Sequence, residues 1–209
     1  MRKITILLMV LLQSFAGALY AQDDAVLNSL YARIADSCVS MDFSYVMQAS
    51  GIKSLGEGEL MLQDGNYVMT GNGLQINCEG KTMWIIDPEG KEVIIQSSAE
   101  GEQAYMDNPA LLFVDMQKVF KVTGIKRNGS TVAYTFSPNV ACGIKSAVVE
   151  VISDSSPVMT SAYFSLSDGG RLDIKIKSMT FSEKKSLTSF HYDVSGLDKS
   201  WLITDLRNQ

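Results

Sequence analysis

The 209-residue chain is poor in the residue types that build most catalytic and metal sites. It has one histidine, His191, and three cysteines, Cys38, Cys78 and Cys142. One histidine is too few for a His-ligated metal cluster, and the cysteines have neither CxxC nor zinc-type spacing. A Ser-His-Asp triad would need His191, which has no nucleophile elbow near it. We therefore predict no enzyme, no cofactor and no metal site, and we leave open whether one disulfide forms and between which cysteines.

Basic residues are also in deficit. The chain has 18 Lys and Arg against 23 Asp and Glu, a net charge of −5. Loss of residues 1–21 would remove two basic residues and lower the net charge to −7. An acidic balance argues against nucleic acid, and against an anionic membrane surface, as the partner.

Long apolar runs are missing except at the amino terminus. Residues 1–21 combine a basic start, an apolar run and small residues near a cleavage point, with a small-x-small pattern before Ala18 that Ala21 matches less well. This pattern predicts a secretory signal peptide that is cleaved after one of these two alanines. No cysteine follows the apolar run, so we expect no lipid anchor at the amino terminus. Residues 22–209 then suit a single exported domain.

The region Gly58–Ser97 has the clearest pattern in the chain, because turn pairs separate short apolar runs. The pairs are Asp64-Gly65, Asn72-Gly73, Glu79-Gly80 and Glu89-Gly90. Such pairs supply the positive φ that tight hairpin turns require. Leu60 and Leu62, then Tyr67 and Met69, alternate with other residues as pleated strands do. No connection is long enough for a helix, so the pattern predicts an antiparallel meander.

The second half of the chain returns to alternating strands. The apolar members are Val132, Tyr134 and Phe136, then Ala147, Val149 and Val151, then Ala162, Phe164 and Leu166. After Ile176 the alternation slips by one residue and continues at Met179. A slip of this kind predicts a β-bulge near Ser178, which suits a strongly curved sheet.

Two helices are predicted beside the strands. The first is capped by Asp23 or Asp24 and carries an apolar stripe that must be buried on the sheet. The stripe consists of Val26, Leu27, Leu30, Tyr31 and Ile34. The second helix starts at Asn108-Pro109, where an N-cap residue precedes a first-turn proline. Its stripe of Leu112, Met116 and Val119/Phe120 indicates either a lid over an apolar cavity or an ordinary core helix.

We predict that one face of the first strands contributes to a concave apolar surface. Its residues are Phe43, Tyr45, Met47, Leu60, Leu62, Tyr67, Met69, Met83 and Ile85. The residues expected to face solvent are Asp42, Ser44, Glu59 and Gln63. Trp84 fits either side, because Lys81–Asp87 does not alternate cleanly. Nine of the eleven methionines lie beyond residue 21; methionine adapts to irregular ligands, although core packing explains any single one.

Four segments of the chain resemble segments of one known protein family. Cys78–Pro88 (CEGKTMWIIDP) contains a Gly-Lys pair, a Trp and an Asp-Pro, and it resembles the corresponding segment of the LolA family of periplasmic lipoprotein carriers. Phe43–Gly51 is similar to its first strand, and Asn108–Gln117 occupies the place of its lid helix. Phe190–Arg207 is similar to its closing strand. The resemblance implies an α+β, mainly antiparallel fold, a strongly curved half-closed β-barrel with an amino-terminal helix and a short lid helix.

The resemblance also implies a function for residues 22–209 as a LolA-like carrier domain. Such a carrier is periplasmic and monomeric, binds the acyl chains of lipoproteins in an apolar cavity and shuttles them from inner to outer membrane. Its partners would be acylated lipoproteins or other lipid cargo, an inner-membrane release complex and an outer-membrane acceptor. The ligand-binding residues would be the nine concave residues above together with Leu112, Met116 and Phe120.

The sequence departs from the family at one corner. Family members carry an Arg-Pro pair there, and the Arg latches the lid. Here the corner is Asp64-Gly65, whose side chain only accepts hydrogen bonds. The latch role is therefore not carried over, and the alternative interpretation is a carrier or sensor of this fold for another lipid or polyketide-type ligand.

Overall fold

The computed structural model describes residues 25–98 and 116–207, which form two short helical segments and twelve strands. Helix α1 covers residues 25–36, and α2 is Met116–Val119. The first strands are β1 (Cys38–Ala49), β2 (Ile52–Gln63), β3 (Asn66–Gly71), β4 (Leu74–Glu79), β5 (Thr82–Asp87) and β6 (Glu92–Ser97). The others are β7 (Phe120–Asn128), β8 (Thr131–Pro138), β9 (Ile144–Ile152), β10 (Val158–Leu166), β11 (Arg171–Ser182) and β12 (Leu202–Asp205).

Some predicted features lie outside these described residues. They are the signal peptide at 1–21, the caps Asp23 and Asp24, the helix start at Asn108-Pro109, and Leu112. The second predicted helix is described only from Met116. It ends at Val119, and Phe120, which we predicted in the helix, is the first residue of β7.

The twelve strands form one sheet in the order β12-β6-β5-β4-β3-β2-β1-β11-β10-β9-β8-β7. Neighbours are antiparallel, except that β12 runs parallel to β6. Strands β1 to β6 are a meander, as the turn pairs predicted. Within the described residues the order ends at β12 and β7, which do not pair with each other, so the sheet is not closed. This open, curved sheet with an amino-terminal helix and a short helix matches the predicted half-closed barrel.

The turn chemistry matches the prediction at three of the four pairs. Asp64 and Gly65 have φ of 50° and 82°, and Asn72 and Gly73 have 53° and 80°. Positive φ at both central residues is the hairpin turn whose twist suits the strands that flank it. Gly80 has φ of 58° in the third pair. The prediction was wrong at Glu89-Gly90, where Lys91 takes the positive φ of 52°.

The predicted bulge is confirmed where the alternation slips. On β1, Asp42 pairs with Ser178 and Phe43 pairs with Ile176, so Lys177 is the extra residue of β11. A bulge increases the local twist of a strand pair. This bulge lies between β1 and β11, at the middle of the sheet.

The main core lies on the concave face of the sheet, against α1. Leu27, Leu30 and Ile34 of the helix are 5%, 1% and 7% exposed. They belong to one cluster with buried residues of both halves of the sheet, including Val39, Leu62, Tyr134 and Val149. The predicted apolar stripe of the helix is therefore buried on the sheet.

The carboxy-terminal segment differs from the prediction. We expected a closing strand through Phe190–Arg207, with His191 inside it, but only β12 is a strand there. Residues 183–201 instead cross the outer face of the sheet as a strap with two short 3-10 turns, Leu187–Ser189 and Val194–Gly196. The strap is held by hydrogen bonds from side chains of the sheet to its backbone groups, and these contacts cannot be predicted from strand propensity.

Candidate functional site

The strand register brings the nine predicted concave residues onto one face. On the first strands Phe43 lies opposite Gly58, and Leu60 and Leu62 lie opposite Met69 and Tyr67. Through β4, the register also aligns Met83 and Ile85 with this face. Residues directly opposite each other in an antiparallel pair project from the same side. Their common face is confirmed, and their role in ligand binding stays a prediction.

Exposure along this face increases from one end to the other. On β1, Val39 and Met41 are 0% and 3% exposed, Phe43 and Tyr45 are half-buried, and Met47 is 39% exposed. We call the end with Val39 the closed end. The other end, at the turns Ser50-Gly51 and Asn72-Gly73, is the open end.

The same gradient crosses the neighbouring strands. At the closed end Leu62, Tyr67 and Cys78 are at most 2% exposed, whereas Leu74 on the same face is 42% exposed at the open end. On the other side of β1, the residues opposite Phe43, Tyr45 and Met47 are Ile176, Ile174 and Leu172, all half-buried. The face is therefore an apolar trough that is filled at one end and accessible at the other.

Two glycines of β2 make room for the aromatic rings in the trough. A Cβ at Gly58 would lie 2.8 Å from Cζ of Phe43 and 2.4 Å from the backbone oxygen of Thr70. A Cβ at Gly56 would lie 2.6 Å from the ring of Tyr45. The rings of Phe43 and Tyr45 thus pack directly on the glycine backbone, where any larger residue would displace them.

A second opening lies between α1 and the β7–β8 pair. It is a cavity of about 400 Å³ lined by Leu27, Asn28, Tyr31, Gln117, Phe120, Val122 and Phe136. Burial raises the pKa of Tyr31, and Tyr134 nearby raises it further, so the phenol stays protonated. Side chains of Asn28, Tyr31 and Gln117 give this mostly apolar cavity hydrogen-bonding groups. Sequence reasoning placed Tyr31 in a core stripe and had no signal for the two amides.

The predicted lid residues that are described belong to the main core. Met116 is 5% exposed and Phe120 is 4% exposed, and both are in the cluster that α1 joins. Phe120 also packs edge-on against Phe136, with 6.2 Å between ring centroids. In the sheet, Phe120 lies on the edge strand β7, away from β1 to β5, although its core cluster also includes Leu60, Leu62 and Tyr67.

Of the four residues predicted to face solvent, Asp42 and Glu59 are exposed and Ser44 is half-buried. The prediction for Gln63 was wrong, because it is 4% exposed. Its Nε2 donates to the Lys185 carbonyl at 3.0 Å, and its Oε1 accepts from the Lys185 backbone N–H at 2.7 Å. The strap covers this amide, and no local pattern in β2 could report a contact so distant in sequence.

The strap also decides the side on which Trp84 lies. Trp84 forms a second small core with Ile86, Val93 and Ile95. The strap residues that pack on it are Tyr192, Val194, Leu197 and Trp201. His191 meets the Trp84 ring edge-on, with 4.8 Å between centroids, and its Nδ1 is 2.8 Å from Glu79 Oε2. Trp84 therefore faces away from the trough.

Asp64, at the corner where the sequence departs from the family, forms an ion pair with a residue of the strap. Lys184 Nζ lies 2.8 and 2.9 Å from the two carboxylate oxygens of Asp64. Both side chains are largely exposed, so this ion pair contributes little to stability. Sequence reasoning found no cation for this corner, because Lys184 is 120 residues away.

The side chains of all three cysteines are buried. Burial raises the pKa of Cys78 to about 11, so this thiol is protonated near neutral pH. Within residues 25–98 and 116–207, no three His, Cys, Asp or Glu side chains group in a way that could hold a metal. None of the helices in that part of the chain is long and apolar enough to cross a membrane.

Together the fold and the trough define a half-open, curved β-barrel with an apolar interior that is accessible from one end. The chain is similar to a LolA superfamily protein from Nitrosomonas europaea, at 10% identity and a TM-score of 0.45, covering 81% of this chain and 97% of that one. It is similar to a DUF1329 family protein from Desulfovibrio piger, at 11% identity and a TM-score of 0.47, covering 86% and 98%.

A third similar structure is a putative outer membrane lipoprotein-sorting protein domain from Vibrio parahaemolyticus. It shares 10% identity and a TM-score of 0.44, covering 79% of this chain and 94% of that one. No family model and no curated protein sequence matches the chain. The likeness is one of fold.

Proposed function

We propose that this protein is an exported lipid-binding carrier that holds acyl chains in the trough. The observation that carries the proposal is the exposure gradient along one apolar face, from Val39 at 0% to Met47 at 39%. A plain core would be buried along its whole length. A trough open at one end gives an acyl chain an apolar surface and a route out of it.

The proposed cargo is the acyl part of lipoproteins, moved in the periplasm from inner to outer membrane. An inner-membrane release complex would load the carrier, and an outer-membrane acceptor would unload it. The ligand-binding residues proposed are the nine concave residues together with Leu112, Met116 and Phe120. Those at the open end, such as Tyr45 and Met47, would contact the cargo first.

Energetics limit how completely such a carrier encloses its cargo. Burial of an acyl chain stabilises by about 0.8 kcal/mol per CH₂, so a sixteen-carbon chain would give roughly 12 kcal/mol. Three chains would give about 36 kcal/mol on the same scale. Non-covalent affinities saturate near ~20 kcal/mol, and a carrier must also release its cargo. Partial coverage in an open trough meets this limit.

The test is native mass spectrometry of the protein purified from its own periplasm by mild extraction. Co-purified acylated peptide at a fixed ratio is the expected result. As a paired measurement, a fluorescent palmitoyl probe should bind the wild type and bind Tyr45→Glu at least tenfold more weakly, because a carboxylate is costly to desolvate. Glu59→Gln, on the outer face, is the matched control. Equal probe affinity in all three proteins would exclude the trough as the binding site.

A second candidate function is a carrier or sensor for another lipid or a polyketide-type ligand. The observation in its favour is that Asp64 forms an ion pair with Lys184 of the strap. This corner therefore offers no residue in the role of the arginine that latches the lid in the LolA family. Under this alternative, mass spectrometry would recover a free lipid without attached peptide. Recovery of acylated peptide would instead exclude it.

A further inference from the structure

The β1–β2 hairpin extends beyond the strand next to it. β2 begins at Ile52, but its pairing with β3 begins only at Gly58, opposite Gly71. Among the described residues no strand pairs with Ile52–Glu57 on that side. We call these six residues the free edge. At about 3.4 Å per residue it is about 20 Å long.

The hairpin geometry determines which backbone groups point outward from the free edge. Ala49 and Ile52 flank a two-residue turn, as do Gln63 and Asn66. Residues that flank such a turn exchange both hydrogen bonds, and the orientation then alternates along the strand. The even-numbered residues of β2 thus turn their backbone groups to β1, and Lys53 and Leu55 turn theirs outward.

The free edge lies at the open end of the trough. It belongs to the same strand as Leu60 and Leu62, and it pairs with the part of β1 that carries Tyr45 and Met47. Asn72, at the neighbouring turn, donates a hydrogen bond from Nδ2 to the Tyr45 hydroxyl. If the acyl group of a lipoprotein lay in the trough, the polypeptide attached to it would emerge from the trough beside this edge.

The side chains along the free edge suit an added strand. Ile52 and Leu55 are 69% and 68% exposed, and they project from opposite faces of β2. On the outer face, Leu55 borders a cavity of about 430 Å³ together with Val46 and Tyr163. A strand paired with the edge would place side chains beside both residues. Only Lys53 and Glu57 are charged, and Glu57 is paired with Lys177.

We propose that the free edge binds the extended peptide that follows the acylated residue of the cargo, by adding it to the sheet as a strand. This inference rests on the proposed carrier function. Pairing through backbone groups gives affinity without requiring a particular side-chain sequence. Such recognition suits a carrier whose cargo proteins share an acylated end and differ in sequence after it.

The test compares two probes on the same protein. One is fluorescent palmitic acid, and the other is a decapeptide with an amino-terminal palmitoyl group and the same fluorophore. Two or three hydrogen bonds, each at the low end of the usual net strength, correspond to about a tenfold gain in affinity. We therefore expect the wild type to bind the lipopeptide about tenfold more tightly than the fatty acid.

Variants at one position separate backbone pairing from apolar contact. Leu55→Pro removes an outward N–H and is compatible with an edge strand, so it should abolish the tenfold difference while leaving fatty-acid binding unchanged. Leu55→Ala retains the N–H and should preserve the difference. Should Leu55→Pro fail to fold, a lipopeptide N-methylated at alternate residues tests the same bonds on the wild type, and it should bind no better than palmitic acid.

The remaining outcomes are distinct. If Leu55→Pro and Leu55→Ala lost the affinity difference equally, strand addition would be overturned. The hairpin would then bind through apolar contact, to a bilayer or to another protein. Fatty-acid binding with no gain from the peptide would overturn this inference and leave the carrier function standing. Failure of both probes to bind the wild type would reject the carrier function, and strand addition with it.

Discussion

Gln63 and Lys185 are 122 residues apart and exchange two hydrogen bonds, of 3.0 and 2.7 Å, through the Gln63 amide and the Lys185 backbone. Asn77 binds the next part of the strap as a donor only, because its Nδ2 donates to the carbonyls of Phe190 and His191 at 3.1 and 3.2 Å. Two buried amides on the outer face therefore hold a segment that has little regular secondary structure.

We predict that Gln63→Ala destabilises the protein by about 1–3 kcal/mol, because it leaves strap backbone groups without their partner. The measurement is the urea midpoint followed by tryptophan fluorescence, since Trp201 of the strap packs on the small core that contains Trp84. Gln48→Ala, at an exposed position of β1, is the control and should change the midpoint little. Equal midpoints for the two variants would show that the strap does not depend on this amide.

A second prediction concerns Cys78, whose pKa is raised to about 11 by burial. A raised folded pKa gives stability that is present below the unfolded pKa, near 8.5, and is lost as pH rises to about 11. A shift of one to two and a half pKa units amounts to about 1–3 kcal/mol. The difference in unfolding free energy between wild type and Cys78→Ala should therefore shrink between these pH values.

Because all three cysteine side chains are buried, we expect their thiols to be unreactive in the native protein. A thiol reagent at pH 8 should modify none of the three cysteines in the native protein, and all three after denaturation. One reactive native thiol would contradict the burial of Cys38, Cys78 and Cys142. Fewer than three thiols in denaturant without reductant would reveal a disulfide.

A third prediction follows from the contact between Phe43 and Gly58. Gly58→Ala should cost about 1–3 kcal/mol, because the added methyl group meets the Thr70 carbonyl, which cannot move away easily. Gly196→Ala is the control, since nothing lies within 4 Å of a Cβ there. Thermal unfolding of the two variants checks the difference. A Gly58→Ala protein as stable as the control would mean that the sheet adjusts freely at this point.

The fourth prediction separates core from lid. Met116→Ala should lower stability by about 2–5 kcal/mol, because Met116 is buried in the main core. Leu112→Ala should lower palmitoyl-probe affinity with a much smaller loss of stability if Leu112 belongs to a lid. Denaturant midpoints and probe titrations on both variants give the two quantities. A large stability loss with unchanged probe binding in Leu112→Ala would assign it to the core.

Salt offers a check on the same variants. No ion pair is assigned to lid closure, so probe affinity should hardly change between 0.05 and 0.5 M NaCl, conditions that span Debye lengths from about 14 to 4 Å. A strong decrease with salt would point to an electrostatic latch.

The meander, the bulge and the shared face of the concave residues were predictable from the sequence, because hairpin turns and two-residue alternation are local. Asp64-Gly65 and Asn72-Gly73 contain their turn geometry in two residues each. Glu89-Gly90 was misassigned because a longer turn lets either of two neighbouring residues take the positive φ. The slip after Ile176 reported the bulge, since a bulge changes the face of every residue that follows it.

Only the tertiary structure decided which parts of that face are filled and which are open. The position of the strap, the burial of Gln63 beneath it, the packing of Trp84 on the outer face and the Lys184–Asp64 pair all depend on contacts between residues more than 100 positions apart. The free edge is likewise a difference in length between β2 and β3 once they are paired. Local propensity gives a strand its faces, but burial depends on what the rest of the chain places against each face, and that is a property of the folded sheet.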